Sequence, residues 1–324
     1  MTFEKQILVT GGLGFIGSNY LNKFVPLYPD RLFINIDAET YAADHDNLTI
    51  ENAPNYKFSK ADIRDLTSLR TAFEQYRPSV VLNFAAETHV DKSITGPALF
   101  IETNILGTHN LLTLSSEFKS SRFHQVSTDE VYGSLGPDDS AFTTDSPLLP
   151  NSPYSASKAS ADLLVRSYIK TFGLPATISR CSNNYGPNQD QTKLIPKFIS
   201  LLLAGAKVPL YAQGENVRDW IFVEDHIDAI DLILQKGEIG KTYNIGGDCE
   251  LKNIEIVKKL LALTGRDESF IEYVRDRPGH DFRYAIDNAE IGKELDWKPK
   301  YNFEAGLAKT FEFYRPKIEG QKHQ

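Results

Sequence analysis

The sequence predicts an α/β fold, a doubly wound parallel sheet with a smaller C-terminal α/β domain. Three observations predict it. Short β-branched runs alternate with longer amphipathic stretches through the first half of the chain, a glycine-rich turn follows the first run, and the alternation breaks down after about Arg180. At roughly 150 residues per domain, the 324 residues suffice for about two domains with cores of their own.

In chain order, Ile7-Leu8-Val9 reads as the first strand, Phe15 to Phe24 as the first helix and Leu32 to Ile36 as the second strand. Further strands are predicted at Lys57-Phe58, Val80 to Phe84, Phe123 to Ser127 and Ala176 to Arg180, with helices between them. Each run closes on a small or polar residue and precedes a separate amphipathic stretch, which favours buried strand over buried helix. Beyond Arg180, Pro187, Pro196 and Pro209 with Gly186, Gly205 and Gly214 punctuate shorter segments. The first domain is therefore placed at residues 1–182 and the second at 183–320. Ala229 to Leu234 followed by Thr242 to Ile245 reads as one more helix and strand, so residues 219–247 are expected to rejoin the first sheet. The charged tail Lys317 to Gln324 is the expected frayed end.

Lys and Arg number 35 against 43 Asp and Glu, a net charge of −8, which argues against nucleic acid or an anionic membrane as partner. Cys181 and Cys249 cannot form a disulfide framework and lack metal-ligand spacing, which fits a reducing compartment. No metal site is expected, and His89 and His226 read as structural. With no basic cap and apolar leader at the start, and no run of about 18 apolar residues, a cytoplasmic location is expected.

Gly12-Leu13-Gly14-Phe15-Ile16-Gly17 matches G-x-G-x-x-G, and Gly11, Gly14 and Gly17 give the wider spacing G-x-x-G-x-x-G. The context strengthens a weak pattern: a strand runs in, a helix runs out, and Asp37 follows Gly17 by twenty residues at the end of the next strand. This is the layout of a Rossmann-type dinucleotide site. The glycines let backbone N–H groups approach a pyrophosphate at a helix N-terminus. Asp37 is placed to accept from the ribose hydroxyls; it would repel a 2′-phosphate, and Ala38-Glu39-Thr40 supplies no arginine, so NAD is favoured over NADP. Asp62 reads equally well as an adenine contact or as a cap for a helix from Leu66 onward.

Tyr154-Ser155-Ala156-Ser157-Lys158 puts a phenol and an ammonium on one face of a helix that starts after Pro153. Beside a nicotinamide, the positive charge of Lys158 and of the oxidised ring is expected to lower the tyrosine pKa and make it a general base. Val126 to Gly133 carries Thr128, Asp129 and Glu130 where a parallel strand ends, on the side where such sheets bind ligands. Two adjacent carboxylates can serve as acid and base if their surroundings split their pKa values, and they can equally be a solvated turn. Thr128 could hydrogen-bond a sugar hydroxyl beside Tyr154. An extra acid–base pair beside a redox pair points to elimination of water.

These motifs, together with Phe84 to Asp91, Arg180 to Pro187, Lys193 to Pro196, Val217 to Trp220 and Asp276 to Asp281, resemble the extended short-chain dehydrogenase/reductase family. Within it the chain is most similar to the nucleoside-diphosphate-hexose 4,6-dehydratases, nearly end to end. The resemblance implies a redox-neutral hydro-lyase that uses Thr128, Asp129, Glu130, Tyr154 and Lys158. It implies NAD held by Gly11, Gly14, Phe15, Ile16, Gly17, Asp37, Thr40, Asp62, Ile63, Ala85, Ala86, Tyr154, Lys158 and Asn184. The substrate it implies is a nucleoside-diphosphate hexose, dTDP-glucose first and UDP-glucose as the alternative. Thr88, Asn183, Lys193, Leu194, Pro209, Tyr211, Arg218, Asn253, Arg277, His280 and Tyr284 would surround it. Arg218 and Arg277 suit a diphosphate by their charge and fork, although Asp219 and Asp276 offer each a surface ion pair instead.

Sugar-nucleotide epimerases and decarboxylases share the glycines and the tyrosine–lysine pair; the epimerases usually lack both carboxylates. A non-catalytic NAD-binding regulator would be expected to lack the tyrosine or the lysine. Pro187-Asn188-Gln189, Gln191-Thr192-Lys193 and Phe282 depart from the common family pattern near the expected nucleotide pocket. Finally, Leu163, Leu164, Val165, Tyr168, Ile169 and Phe172 cannot all face one core, and the family pairs this helix with one near Thr103 to Phe118 across a two-fold axis; a homodimer is expected.

Overall fold

Burial on both faces is what turns the apolar runs into parallel strands. A computed structural model describes residues 5–276 and 281–321. Its strands, in chain order, are β1 (Lys5–Thr10), β2 (Arg31–Asp37), β3 (Tyr56–Lys60), β4 (Val80–Asn83), β5 (Arg122–Thr128), β6 (Ala176–Cys181), β7 (Asn183–Tyr185), β8 (Val208–Tyr211), β9 (Val217–Phe222), β10 (Thr242–Ile245), β11 (Glu250–Lys252), β12 (Ile271–Val274) and β13 (Arg283–Tyr284). The main sheet has seven strands in the order β10-β6-β5-β4-β1-β2-β3, all parallel. It is the doubly wound, Rossmann-like sheet that the alternation predicts. The strand order reverses between β1 and β4, and a crevice opens there at the C-terminal ends.

Helices Phe15–Leu27 and Val223–Lys236 cover one face through Tyr20, Leu21, Phe24, Ile227, Ile230 and Ile233. Helices Leu66–Tyr76, Thr108–Glu117 and Pro153–Phe172 cover the other through Leu69, Phe73, Leu111, Leu114 and Val165. Inside the sheet His124 is satisfied by the Thr177 and Ser179 hydroxyls at 2.9 and 3.0 Å. Burial holds it neutral, with its pKa pushed down to about 3.

The chain leaves the main sheet at Cys181 and enters a second one at Asn183, where β7 pairs with β9. Strand β9 also carries β11 and β13, while β8 pairs with β12. Phe198, Leu202, Trp220, Leu260, Phe303 and Leu307 pack as a separate core there. Ser182 alone joins the two sheets, so the ends of β6 and β7 face the same crevice.

Two expectations are corrected. The tail from Lys317 is not frayed up to Gln321: helix Phe303–Gln321 runs through it, anchored by buried Phe311, Tyr314 and Ile318. The stretch near Thr103 is a wide π-helical turn, Ile101–Gly107, between Pro97–Phe100 and Thr108–Glu117. Side-chain periodicity does not reveal a shift in the backbone hydrogen-bond ladder.

Candidate active site

The glycine turn is fixed by two side chains of β2. Asn35 Oδ1 accepts from the Gly12 amide at 3.1 Å and Asp37 Oδ2 from the Leu13 amide at 3.0 Å. Gly11 has φ +71°, and a Cβ there would lie 2.8 Å from the Ala85 nitrogen; one at Gly17 would lie 2.3 Å from the Gly11 carbonyl oxygen. A Cβ at Gly14, by contrast, would meet only the Gly11 carbonyl oxygen at 3.4 Å, so this glycine opens toward the crevice. The helix that Gly14 precedes has no side-chain cap and no acidic residue in its first turn. Its first N–H groups are thus available to an anion. The residues present fit a dinucleotide diphosphate: an uncapped helix start, an open glycine beside it, and a buried carboxylate one strand away. Asp37 also accepts from the Glu39 amide at 2.9 Å, and burial raises its pKa against these hydrogen bonds.

One cavity of about 320 Å³ runs from this turn across the ends of the central strands. Every residue expected at the cofactor lines it: Gly11, Gly14, Phe15, Ile16, Gly17, Asp37, Thr40, Asp62, Ile63, Ala85, Ala86, Tyr154, Lys158 and Asn184. Thr128, Asp129 and Glu130 line it as well. The helix-cap reading of Asp62 is overturned, because Asp65 caps Leu66–Tyr76 by accepting from the Thr67 and Ser68 amides. Asp62 instead chelates Arg64, with Nη2 to Oδ2 at 2.6 Å.

Helix Pro153–Phe172 begins with proline in its first turn and a capping box between Ser152 and Ser155, which sets the entry angle of Tyr154. Lys158 follows one turn on, and its Nζ donates to the Val126 carbonyl at 2.7 Å. Burial lowers the Lys158 pKa and Asp162 opposes that fall. Tyr154 is pushed well above the usual phenol value by burial first, then by Glu130 and Cys181, while a hydrogen bond with Thr128 works the other way. The expected lowering of the tyrosine pKa is an expectation for the site with oxidised nicotinamide beside Lys158, whose ammonium is here held by the Val126 carbonyl.

Asp129 is 2% exposed. Its Oδ1 accepts from the Thr128 hydroxyl at 3.3 Å, and its Oδ2 has no hydrogen-bond partner. Burial, then Glu130 and Asp219, raise its pKa well above the carboxylate range. Glu130 is less buried, and its amide donates to the Thr128 hydroxyl at 3.3 Å. The two adjacent carboxyl groups therefore have different surroundings, Asp129 buried with its pKa raised and Glu130 half-open.

Of the residues expected around a sugar nucleotide, Thr88, Asn183 and Lys193 line this cavity, and Lys193 Nζ donates to the Thr88 carbonyl at 2.9 Å. Leu194, Pro209, Tyr211, Arg218, Asn253 and Tyr284 do not; they lie on helix Leu194–Leu203, on β8, β9 and β13, and at the start of helix Asn253–Thr264. Arg218 is not a surface ion pair: it is buried, stacks on the Tyr284 ring at 4.4 Å and donates to the carbonyls of Val217, Asp281 and Phe282. Arg277 and His280 lie outside the described residues. The departing segment sits against the first helix, Asn188 donating to Ser18 Oγ and to the Asn47 carbonyl, both at 3.1 Å, while Gln189 and Asp190 line the cavity. His226 is buried and pairs with Asn184 Oδ1 at 2.8 Å, so its structural role is to fix that asparagine. Sequence reasoning missed Asn35 behind the turn, and Cys181 and Ser182 in the cavity wall, for which adjacency to Asn183 was the available signal.

A sequence profile of the family described as GDP-mannose 4,6 dehydratase matches residues 8–310. The dTDP-glucose 4,6-dehydratase of Haemophilus influenzae is 45% identical over 95% of this chain and 97% of its own length. That of Neisseria meningitidis is 46% identical over 96% and 93%. Among solved structures, dTDP-glucose 4,6-dehydratase of Bacillus anthracis in complex with NAD gives a TM-score of 0.90 at 47% identity, covering 97% of this chain and 98% of that one. UDP-glucose 4-epimerase of Thermotoga maritima with UDP-glucose gives 0.90 at 30%, covering 97% and 99%. The glycine turn, the tyrosine–lysine helix and the extent of these matches place the chain in the GDP-mannose 4,6-dehydratase family of extended short-chain dehydrogenases/reductases.

Proposed function

We propose that this chain is an NAD-dependent hydro-lyase that converts dTDP-glucose to dTDP-4-keto-6-deoxyglucose and water. The observation that carries the proposal is the Asp129–Glu130 pair at the end of β5, opening on the same cavity as Tyr154 and Lys158. Relatives at 45–46% identity over nearly the whole chain named dTDP-glucose 4,6-dehydratase, and neighbours crystallised with NAD, support the reading.

The nicotinamide, when bound, supplies a hydride acceptor for C4 of the hexose and a donor back to C6. Tyr154 takes the C4 hydroxyl proton, with Thr128 holding that hydroxyl by a hydrogen bond. Lys158 orients the nicotinamide ribose. Oxidation at C4 makes the C5 proton acidic, and Glu130, the more open carboxylate, removes it. Asp129, whose buried carboxyl retains its proton, donates it to the C6 hydroxyl, and the C6–O bond breaks to release water. When the hydride returns to C6 of the C5–C6 double bond, Glu130 gives its proton back to C5, and Asp129, whose proton has left in the water, regains the equivalent that Tyr154 took from the C4 hydroxyl, so no net redox equivalent is consumed.

The test offers dTDP-glucose and UDP-glucose separately, each deuterated at C4. Loss of one water with deuterium appearing at C6 is expected, faster for dTDP-glucose. Unchanged mass with both sugars refutes the dehydration. Residues 1–182 with helix Val223–Lys236 and β10 would hold NAD and the rest of 183–320 the sugar nucleotide; residues 219–222, expected in the first sheet, run in β9 of the second. Among the described residues no helix is long and apolar enough to cross a membrane, consistent with work in the cytoplasm, and the exposed Leu106 and Leu163 favour a homodimer.

A further inference from the structure

The groups assigned to oxidation and to elimination stand on separate elements, helix Pro153–Phe172 and the short turn Asp129–Tyr132. Asp129 has little to hold it: one 3.3 Å contact and an unpartnered oxygen. Three residues further, Tyr132 is 1% exposed and far better anchored. Its hydroxyl accepts from Arg180 Nη1 at 2.9 Å and donates to Asn244 Oδ1 on β10 at 2.7 Å. Its ring lies 4.8 Å from the Arg180 guanidinium carbon and stacks on Phe142 at 5.0 Å. Arg180 Nε in turn donates to Asp162 Oδ2 at 2.9 Å. Asp162 stands one turn beyond Lys158 on the same helix, and so on the same face.

Both members of this ion pair are nearly inaccessible, with side-chain exposures of 8% for Arg180 and 1% for Asp162. A buried pair of this kind adds little net stability, because desolvation offsets the attraction; its attested use is to fix one geometry among alternatives. We propose that Arg180 and Asp162 are positioning residues that tie the Tyr154/Lys158 helix to the Asp129–Tyr132 turn and so set the spacing between the oxidation pair and the elimination pair. The proposal rests on the dehydratase reading for its consequence, and on the contacts alone for its mechanical part. Strand β6 fits the task, since Arg180 is the register partner of Ser127 and Cys181 that of Thr128. A guanidinium holds two partners at fixed angles, which a lysine ammonium does not.

The test uses Arg180→Lys and the milder Tyr132→Phe, which removes a single oxygen. Hydrogen exchange of the full chain is read over residues 128–133 and over the body of helix Pro153–Phe172. Single turnover of C4-deuterated dTDP-glucose is followed by mass. The proposal expects faster exchange in 128–133 with the helix unchanged. It also expects product formation slowed about tenfold while C4 oxidation changes less than about threefold, so that the 4-keto hexose accumulates, as displacement of a reacting group by about 1 Å would produce. Equal slowing of both steps, or unchanged exchange in 128–133, overturns it. A wild-type protein that dehydrates neither sugar refutes the functional reading instead, and the exchange experiment then still decides whether the tie exists.

Discussion

A buried carboxyl group with one oxygen unpartnered among the described residues holds its proton more tightly because burial makes ionisation costly, and the neighbouring Glu130 and Asp219 add repulsion. For Asp129 this has a measurable sign. The unfolded chain loses this proton near pH 3.9 while the folded chain retains it to higher pH, so as pH rises the folded state binds more protons and the group subtracts stability. Asp129→Asn should therefore melt above wild type at neutral pH, by about 2 °C, the order that ~1 kcal/mol produces in a large domain. The gain should vanish in acid, below the unfolded carboxyl value; equal melting curves at both pH values would refute the buried-proton account. Activity should show the converse: Asp129→Asn loses elimination. Glu130→Gln, which keeps shape but not basicity, should still oxidise C4 and lose roughly 10²- to 10⁴-fold in water release, the usual contribution of a general base. Near-wild-type turnover of Glu130→Gln would reassign the C5 base.

At the scale of the element, the site is a set of strand ends with helices starting just beyond them, and the helix starts carry the precision. Gly17→Ala places a Cβ 2.3 Å from the Gly11 carbonyl oxygen, a backbone atom that cannot yield without moving the turn. The expected result is NAD affinity weaker by about tenfold or more, ~1.4 kcal/mol, in calorimetric titration. Ser152→Ala removes the cap that accepts from the Ser155 amide at 3.1 Å and should cost about 1 kcal/mol of stability, read from denaturant midpoints. What the sequence allowed a reader to see follows the same division. The glycine turn, the strands and the Tyr154/Lys158 spacing are local, so periodicity and turn chemistry reach them. The Arg180–Tyr132–Asn244 contacts join residues up to 112 positions apart and leave no periodic trace. Arg218 read as a diphosphate donor, with a surface ion pair to Asp219 as the alternative; alternation along β9 sends those two side chains to opposite faces, and Asp219 accepts from the Gly247 and Cys249 amides. The cap of helix Leu66–Tyr76 fell to Asp65 rather than Asp62 for a similarly local reason, a choice between two aspartates that the backbone angle decides.

For the whole molecule, the apolar residues of helix Pro153–Phe172 divide as the crowding argument requires. Val165 is buried and Leu164, Tyr168 and Ile169 pack on the sheet core, whereas Leu163 is 54% exposed. The exposed positions Ala156, Leu163 and Ser167, with half-buried Ser160, recur at intervals of three and four, a stripe of small side chains around one leucine that allows close helix approach. On the adjacent helical run, Leu99, Ile101 and Leu106 are 40%, 55% and 46% exposed. An apolar patch on two neighbouring helices is costly to leave in water and self-complementary under a two-fold axis. The wild-type chain is therefore expected to sediment as a dimer at micromolar concentration. Leu106→Glu with Leu163→Glu, both on the outer face and away from the cavity, should give a folded monomer whose melting temperature no longer rises with protein concentration. A wild-type monomer at that concentration refutes the dimer, and a double variant that stays dimeric moves the interface to another face. Because Tyr154 and Lys158 project inward from the same helix whose outer stripe would pack against its partner, loss of the interface should also loosen the redox pair, lowering turnover of the monomer without changing the product it releases.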